Sequence, residues 1–113
     1  MKRVWSNAES KKELKKFYLS LVPTIRRIAR KNGYAIGVHG TLTRDLDLIA
    51  APWVPRCVKP LTLALRIEKA ICKYISGRRE MIRKSEQKPH GRIGFVIIIG
   101  FKAYIDLSVL PQR

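Results

Sequence analysis

The chain has 113 residues, enough for one domain with a single core and too few for two. Hydrophobic residues make up 46% of it, which excludes a wholly disordered chain, and its formal charge of +16 must then lie on a folded surface, where it selects polyanionic partners such as nucleic acid. The longest apolar run, residues 95–99, is too short to span a bilayer, residues 1–16 lack the apolar segment of a signal peptide, and Cys57 and Cys72 make no disulfide framework. A cytoplasmic protein without membrane contact is expected.

Ser6 with Glu9, and Ser10 with Glu13, have the spacing of a capping box and predict a helix start nearby. Leu14, Phe17, Tyr18, Leu21, Ile25 and Ile28 then repeat at helical spacing as one apolar stripe, and Lys11, Lys12, Lys15, Lys16, Arg26, Arg27 and Arg30 take the remaining surface. Pro23 is expected to kink this helix or to open a second one, and Asn32-Gly33 supplies its left-handed stop. Residues 34–40 read as a short strand, followed closely by a second over 45–50. After the proline-rich link 52–60, Pro60 opens a helix whose apolar face is Leu61, Ala64, Leu65, Ile67, Ile71, Tyr74 and Ile75, with Gly77 placed to end it.

Residues 78–92 hold six basic side chains, Arg78, Arg79, Arg83, Lys84, Lys88 and Arg92, with little apolar content. They read as a frayed basic helix or a mobile loop near the ligand, and of the two the partly ordered helix is favoured. Residues 93–99 are apolar almost throughout, as in a central strand covered on both faces, and Gly100-Phe101-Lys102 turns that strand into a last one carrying Asp106. The expectation is therefore an α/β (α+β) domain over 1–113, ordered helix, strand, strand, helix, strand, strand, with a small mixed sheet against helices.

All three aspartates fall inside strand-like sequence. In GVHGTLTRDLDLIA, two-residue periodicity puts Asp45 and Asp47 on one strand face with Leu46 and Leu48 on the other. In AYIDLSVL, Asp106 shares its face with Tyr104 and Ser108, opposite Ile105, Leu107 and Val109. Aspartate is a poor strand residue, and surface ion pairs with the many lysines and arginines contribute too little to require it at three strand centres. A shared site for Mg²⁺, which takes hard oxygen ligands and in pairs stabilises both oxygens of a phosphoryl displacement, gives the three a common reason.

Gly40-Thr41 after a strand, Asp45-x-Asp47 on the next and Asp106 on a distant one resemble the nucleotidyltransferase superfamily with the DNA polymerase β-like fold. The resemblance lies in this arrangement and covers most of the chain. It implies that Gly40 and Thr41 bind the triphosphate of a nucleotide, that Asp45 and Asp47 hold the metal, and that Asp106 is the third carboxylate, which helps deprotonate an acceptor hydroxyl. Only Leu42, Thr43 and Arg44 separate the glycine-threonine pair from Asp45, where that family carries a longer segment with a short helix, so Arg44, Arg92 and Lys102 are assigned as substitute phosphate contacts. The chain also looks like small bacteriophage proteins with RDLDLIA-type and YIDLSVLP-type segments.

His39, His90, Cys57 and Cys72 lack the spacing of common zinc modules and are assigned packing or loop roles, with a phosphate contact open to His90 in its KPHGR turn beside Lys88 and Arg92. Trp5, Trp53, Tyr34 and Tyr104 are read as packing residues, with base stacking the alternative that suits Tyr104, on the Asp106 face. The functional expectation is Mg²⁺-dependent transfer of a nucleoside monophosphate from a nucleoside triphosphate to a hydroxyl on RNA, a nucleotide or a protein. The alternative is an inactive basic binding protein of the same fold, an inhibitor of a host or defence nucleic-acid complex or an antitoxin-like partner, with contacts on the Lys11 to Arg30 helix and through Arg78, Arg79, Arg83, Lys84 and Lys88.

Overall fold

A computed structural model describes residues 8–72, 82–100 and 103–112. Its elements are α1 (Ala8–Lys31), β1 (Tyr34–His39), β2 (Asp45–Pro52), α2 (Pro60–Cys72), β3 (Ile82–Gln87), a single 3₁₀ turn (Pro89–Gly91), β4 (Ile93–Gly100) and β5 (Ala103–Val109). The five strands form one sheet in the order β1-β2-β5-β4-β3. β2 and β5 run parallel, and the other neighbours are antiparallel.

The apolar stripe of α1 is buried at Leu14, Tyr18, Leu21, Val22, Ile25 and Ala29. These side chains share one core with the inward residues of the sheet, among them Leu46, Leu48, Phe95, Ile97, Ile105 and Leu107. Pro23 lies inside one continuous α1 and does not open a second helix. Its ring lies on the exposed side, and the carbonyl that loses its usual N–H partner belongs to exposed Leu19, on the face of the helix turned to solvent. The helix stops where foreseen. The Asn32 and Gly33 amides donate to Ala29 and Arg30, and Gly33 has a φ of +93° with its Cα face against Cys57. Buried Asn32 also donates to Ile28 O at 2.7 Å and accepts from the Arg66 guanidinium, tying α1 to α2.

α2 opens at Pro60 as expected, but its buried face is Leu63, Ala64, Ile67 and Ile71. Leu61 and Leu65 stay 53% and 46% exposed. With apolar residues on most of its circumference, α2 is fixed in rotation by the seam against α1 and the sheet, which its own periodicity leaves open. Tyr74, Ile75 and Gly77 lie outside the described residues, as do Ser6, Arg78, Arg79 and Lys102.

The largest correction concerns the basic segment. Residues 82–87 form an edge strand antiparallel to β4, where a helix was expected. Arg, Lys, Glu and Gln favour helices, yet the backbone groups along the free edge of β4 offer ladder bonds that outweigh so weak a preference. Lysine and arginine also suit an edge strand, since they discourage pairing with further chains. β4 lies inside the sheet without being its centre, and Val96 and Ile98 are only half-buried. The central strand is β5, which carries Asp106.

Candidate metal centre on the open sheet face

Strand alternation sorts β2 and β5 as the sequence implied. Leu46, Leu48, Ile105 and Leu107 are fully buried on the helix side, whereas Asp45, Asp47, Tyr104 and Asp106 are half-exposed on the other. Parallel pairing sets Asp47 beside Asp106 and Asp45 beside Tyr104. Carboxylate oxygens of Asp45, Asp47 and Asp106 then lie within 4.8 Å of one another. One row across the open face reads His39, Asp47, Asp106, Val96, and the row before it reads Asp45, Tyr104, Ile98.

Partial burial, a hydrogen bond shared with Asp45, and repulsion from Asp45 and Asp106 raise Asp47 above the ordinary carboxylate range, while His39 acts the other way. The Tyr104 hydroxyl is also raised, first by burial and then by Asp45, with Arg44 opposing. This is a concentration of negative charge in an otherwise basic protein. Three hard oxygen donors on two adjacent strands fit a divalent cation such as Mg²⁺, and a bound cation would relieve the repulsion they share.

Tyr18 holds the rim of this site. Fully buried on α1, it donates its hydroxyl proton to the carbonyl of Arg44 at 2.7 Å and accepts from the amide of Tyr104 at 3.2 Å. One hydroxyl therefore joins the residue before Asp45 to the strand of Asp106. Burial pushes its pKa up to about 12, so the proton it donates stays in place at physiological pH.

Gly40 closes the β1 side with a φ of +85°. A Cβ at this position would stand 2.9 Å from Asp47 Oδ2, so the glycine permits a close approach to the carboxylate besides an unusual backbone conformation. Leu42, at a φ of +63°, anchors the 40–44 connection by burying its side chain, and Thr41 Oγ1 meets Thr43 Oγ1 at 2.9 Å on the exposed side. Gly40→Ala is expected to destabilise the fold by roughly 1–2 kcal/mol and to weaken Mn²⁺ binding by displacing Asp47. Denaturant melts with a Mn²⁺ titration check this, and an unchanged metal affinity would refute the role given to Gly40.

Of the residues assigned from sequence, Gly40, Arg44, Asp45, Asp47, Asp106 and Lys88 come together here. Arg44 reaches the site through its influence on Tyr104, and Lys88 Nζ lies 3.7 Å from Asp106 Oδ1. Thr41 is adjacent in the connection. Arg92 is placed elsewhere: it precedes Ile93, which pairs with Val109, and its Nε donates to Pro89 O at 3.1 Å within its own turn. Exposed His90 lies in that turn at a φ of +66°. Tyr34 is a core residue bonded to Val58 O, and Trp53 is 61% exposed in the link that follows β2. Sequence reasoning missed His39 and Tyr18. Alternation along β1 puts His39 on the face of Gly37, which is a usable signal, whereas a tyrosine in a helical stripe carries no mark of its partners.

Among solved structures, the fold is similar to that of the Cid1 poly(U) polymerase, determined with MgGTP bound, at a TM-score of 0.51 and 17% identity over 91% of this chain. Two helices on a five-stranded mixed sheet make an α+β fold compatible with a minimal nucleotidyltransferase-like one. The chain spans 33% of that polymerase, so the likeness concerns one portion of it. No family model and no curated protein matches the sequence. Among the described residues no helix is long and apolar enough to cross a membrane.

Proposed function

We propose that the protein is a metal-dependent nucleotidyltransferase, moving a nucleoside monophosphate from a nucleoside triphosphate to a hydroxyl of RNA, a nucleotide or a protein. The observation that carries this reading is the meeting of Asp45, Asp47 and Asp106 on the open face of a sheet with this fold. Asp45 and Asp47 hold the divalent cation, normally Mg²⁺, with Asp106 completing the donor set. When bound, the cation supplies charge stabilisation for the phosphoryl group in transfer. Asp106 accepts the proton of the acceptor hydroxyl, whose oxygen forms the new bond to the α-phosphorus as the bond to the departing pyrophosphate breaks. Gly40 keeps the approach to Asp47 open. With only the short 40–44 connection beside the site, triphosphate charge falls to the exposed Arg44, with Thr41 and Lys102 assigned to the same task.

A second reading rests on α1. Its Lys11, Lys12, Lys15, Lys16, Arg26, Arg27 and Arg30 are all exposed, a field that attracts phosphate backbones irrespective of base sequence. One experiment separates the two. Each of four α-labelled ribonucleoside triphosphates is incubated with the protein, total RNA and a protein acceptor mixture, with Mg²⁺ or with EDTA. Mg²⁺-dependent incorporation is expected, and the labelled fraction identifies the acceptor. No incorporation, with RNA still retained in a salt-sensitive way, rejects transfer and leaves a basic binding protein.

A further inference from the structure

Lys88 leaves the turn after β3 with its amide bonded to Arg92 O at 2.8 Å, and its side chain runs back across the open sheet face. It crosses the sheet at Gly94, where a Cβ would meet the Lys88 side chain first, at Cε, Cδ and Nζ. The ammonium ends 3.7 Å from Asp106 Oδ1. Ser108 stands on the path between them, paired with Gly94 across the strands and two residues from Asp106 on the same face. It is 6% exposed, and its hydroxyl has no hydrogen-bond partner among the described residues.

These observations describe an arm with a prepared track. Glycine is the residue that leaves a β-strand surface flat enough for a neighbouring side chain to cross it, and Gly94 has no backbone need of its own, since it lies in regular strand. The arm delivers one positive charge to the carboxylate that a cation would use. It also crosses above a hydroxyl that is left without a partner, a poor arrangement for a permanent resting place.

Resting on the metal-dependent reading above, we propose that Lys88 is the internal counter-cation of the site: it occupies the Asp106 end in the metal-free protein and is displaced when a divalent cation binds. Ammonium and metal compete for one carboxylate. The site therefore binds free metal weakly and fills best when the cation arrives with the added negative charge of a nucleotide triphosphate, to which the released ammonium turns. Lys88 is thus a positioning residue for Asp106 and sets the order in which metal and nucleotide are taken up.

Two variants test this without disturbing the carboxylates. Lys88→Met keeps the stem and removes the charge, whereas Gly94→Ala keeps the charge and pushes the stem off its track. Free Mn²⁺ is titrated against parent and variants by electron paramagnetic resonance, without nucleotide and with a non-hydrolysable nucleoside triphosphate analogue. Removing a unit charge next to a divalent site should tighten Mn²⁺ binding in Lys88→Met on the order of tenfold without nucleotide. Gly94→Ala should shift affinity in the same direction by a smaller factor, and the nucleotide-dependent gain seen in the parent should shrink in both. Tighter binding in Lys88→Met with no change in Gly94→Ala overturns the arm and leaves only a distant charge effect. Unchanged or weaker binding in Lys88→Met overturns the proposal while the metal site stands. A parent protein that binds no Mn²⁺ under either condition overturns the metal site itself, and the competition with it.

Discussion

The Asp45→Asn, Asp47→Asn double variant is expected to lose transfer activity to below about one per cent of the parent while melting higher than the parent in the absence of metal. The two effects have one origin. Asp47 is raised above the ordinary carboxylate range by burial and by its neighbours, so its ionised form is disfavoured in the folded state. A raised carboxylate contributes stability that is present below the unfolded-state pKa and lost as the pH rises through the folded-state value, so on this account the metal-free protein is less stable at neutral pH than in acid. Amide side chains remove that difference. The variant should therefore melt a few degrees above the parent in EDTA at pH 7, and the difference should fade as the pH is lowered towards the ordinary aspartate range. Added Mg²⁺ should raise the parent's melting temperature and leave the variant's unchanged. Differential scanning calorimetry at several pH values, beside the labelled-nucleotide assay, gives both readouts. A variant that loses activity and also melts lower in EDTA would mean that the carboxylates support the fold, and would contradict the charge cluster described here.

Tyr18→Phe, by contrast, is expected to destabilise the fold. The hydroxyl serves two backbone groups at once, the Arg44 carbonyl and the Tyr104 amide, in a fully buried position. Removing it takes this partner from both groups, in hydrogen bonds that are part-buried, at a cost of roughly 2–3 kcal/mol, or about 10 °C in melting temperature for a domain of this size. The damage is directed as well as large. Arg44 precedes Asp45, and Tyr104 lies two residues before Asp106 on the same strand face, so the register of β2 against β5 loosens at the site. Transfer should fall on the order of 10–100-fold at a temperature where the variant is still folded. Melting curves and single-temperature kinetics check the pair of effects, and a variant that melts like the parent would show that water or another group takes over the hydroxyl's partners.

The site was more legible in the sequence than the sheet that carries it. Alternation in RDLDLIA and YIDLSVL suffices to place three carboxylates on strand faces, because a strand has only two sides and the leucines choose one of them. That the two strands are parallel neighbours was not legible, since it depends on where β3 and β4 insert between them in the chain. β3 itself was hidden for a physical reason. An edge strand with one solvated face needs no apolar alternation, and its basic composition satisfies a helix equally well. α2 failed differently: with Leu61, Leu63, Ala64, Leu65 and Ile67 all apolar, its buried side is chosen by its neighbours. His39, weighed only for a zinc module whose spacing it lacks, carries no signal of its neighbour, although the β1–β2 register sets it opposite Asp47.

The parallel pairing of β2 with β5 has a consequence for how the protein assembles. Asp47 and Asp106 are about 60 residues apart in the chain, whereas the antiparallel pairs β1–β2 and β4–β5 each join strands that are neighbours in sequence. Loop closure over the longer span is the entropically slower event, so the two hairpins form first and the carboxylates meet only when the hairpins dock side by side. A cation that recognises all three carboxylates has nothing to bind before that step. It then acts as a clasp on the finished sheet, one that slows unfolding and leaves the rate of folding almost untouched.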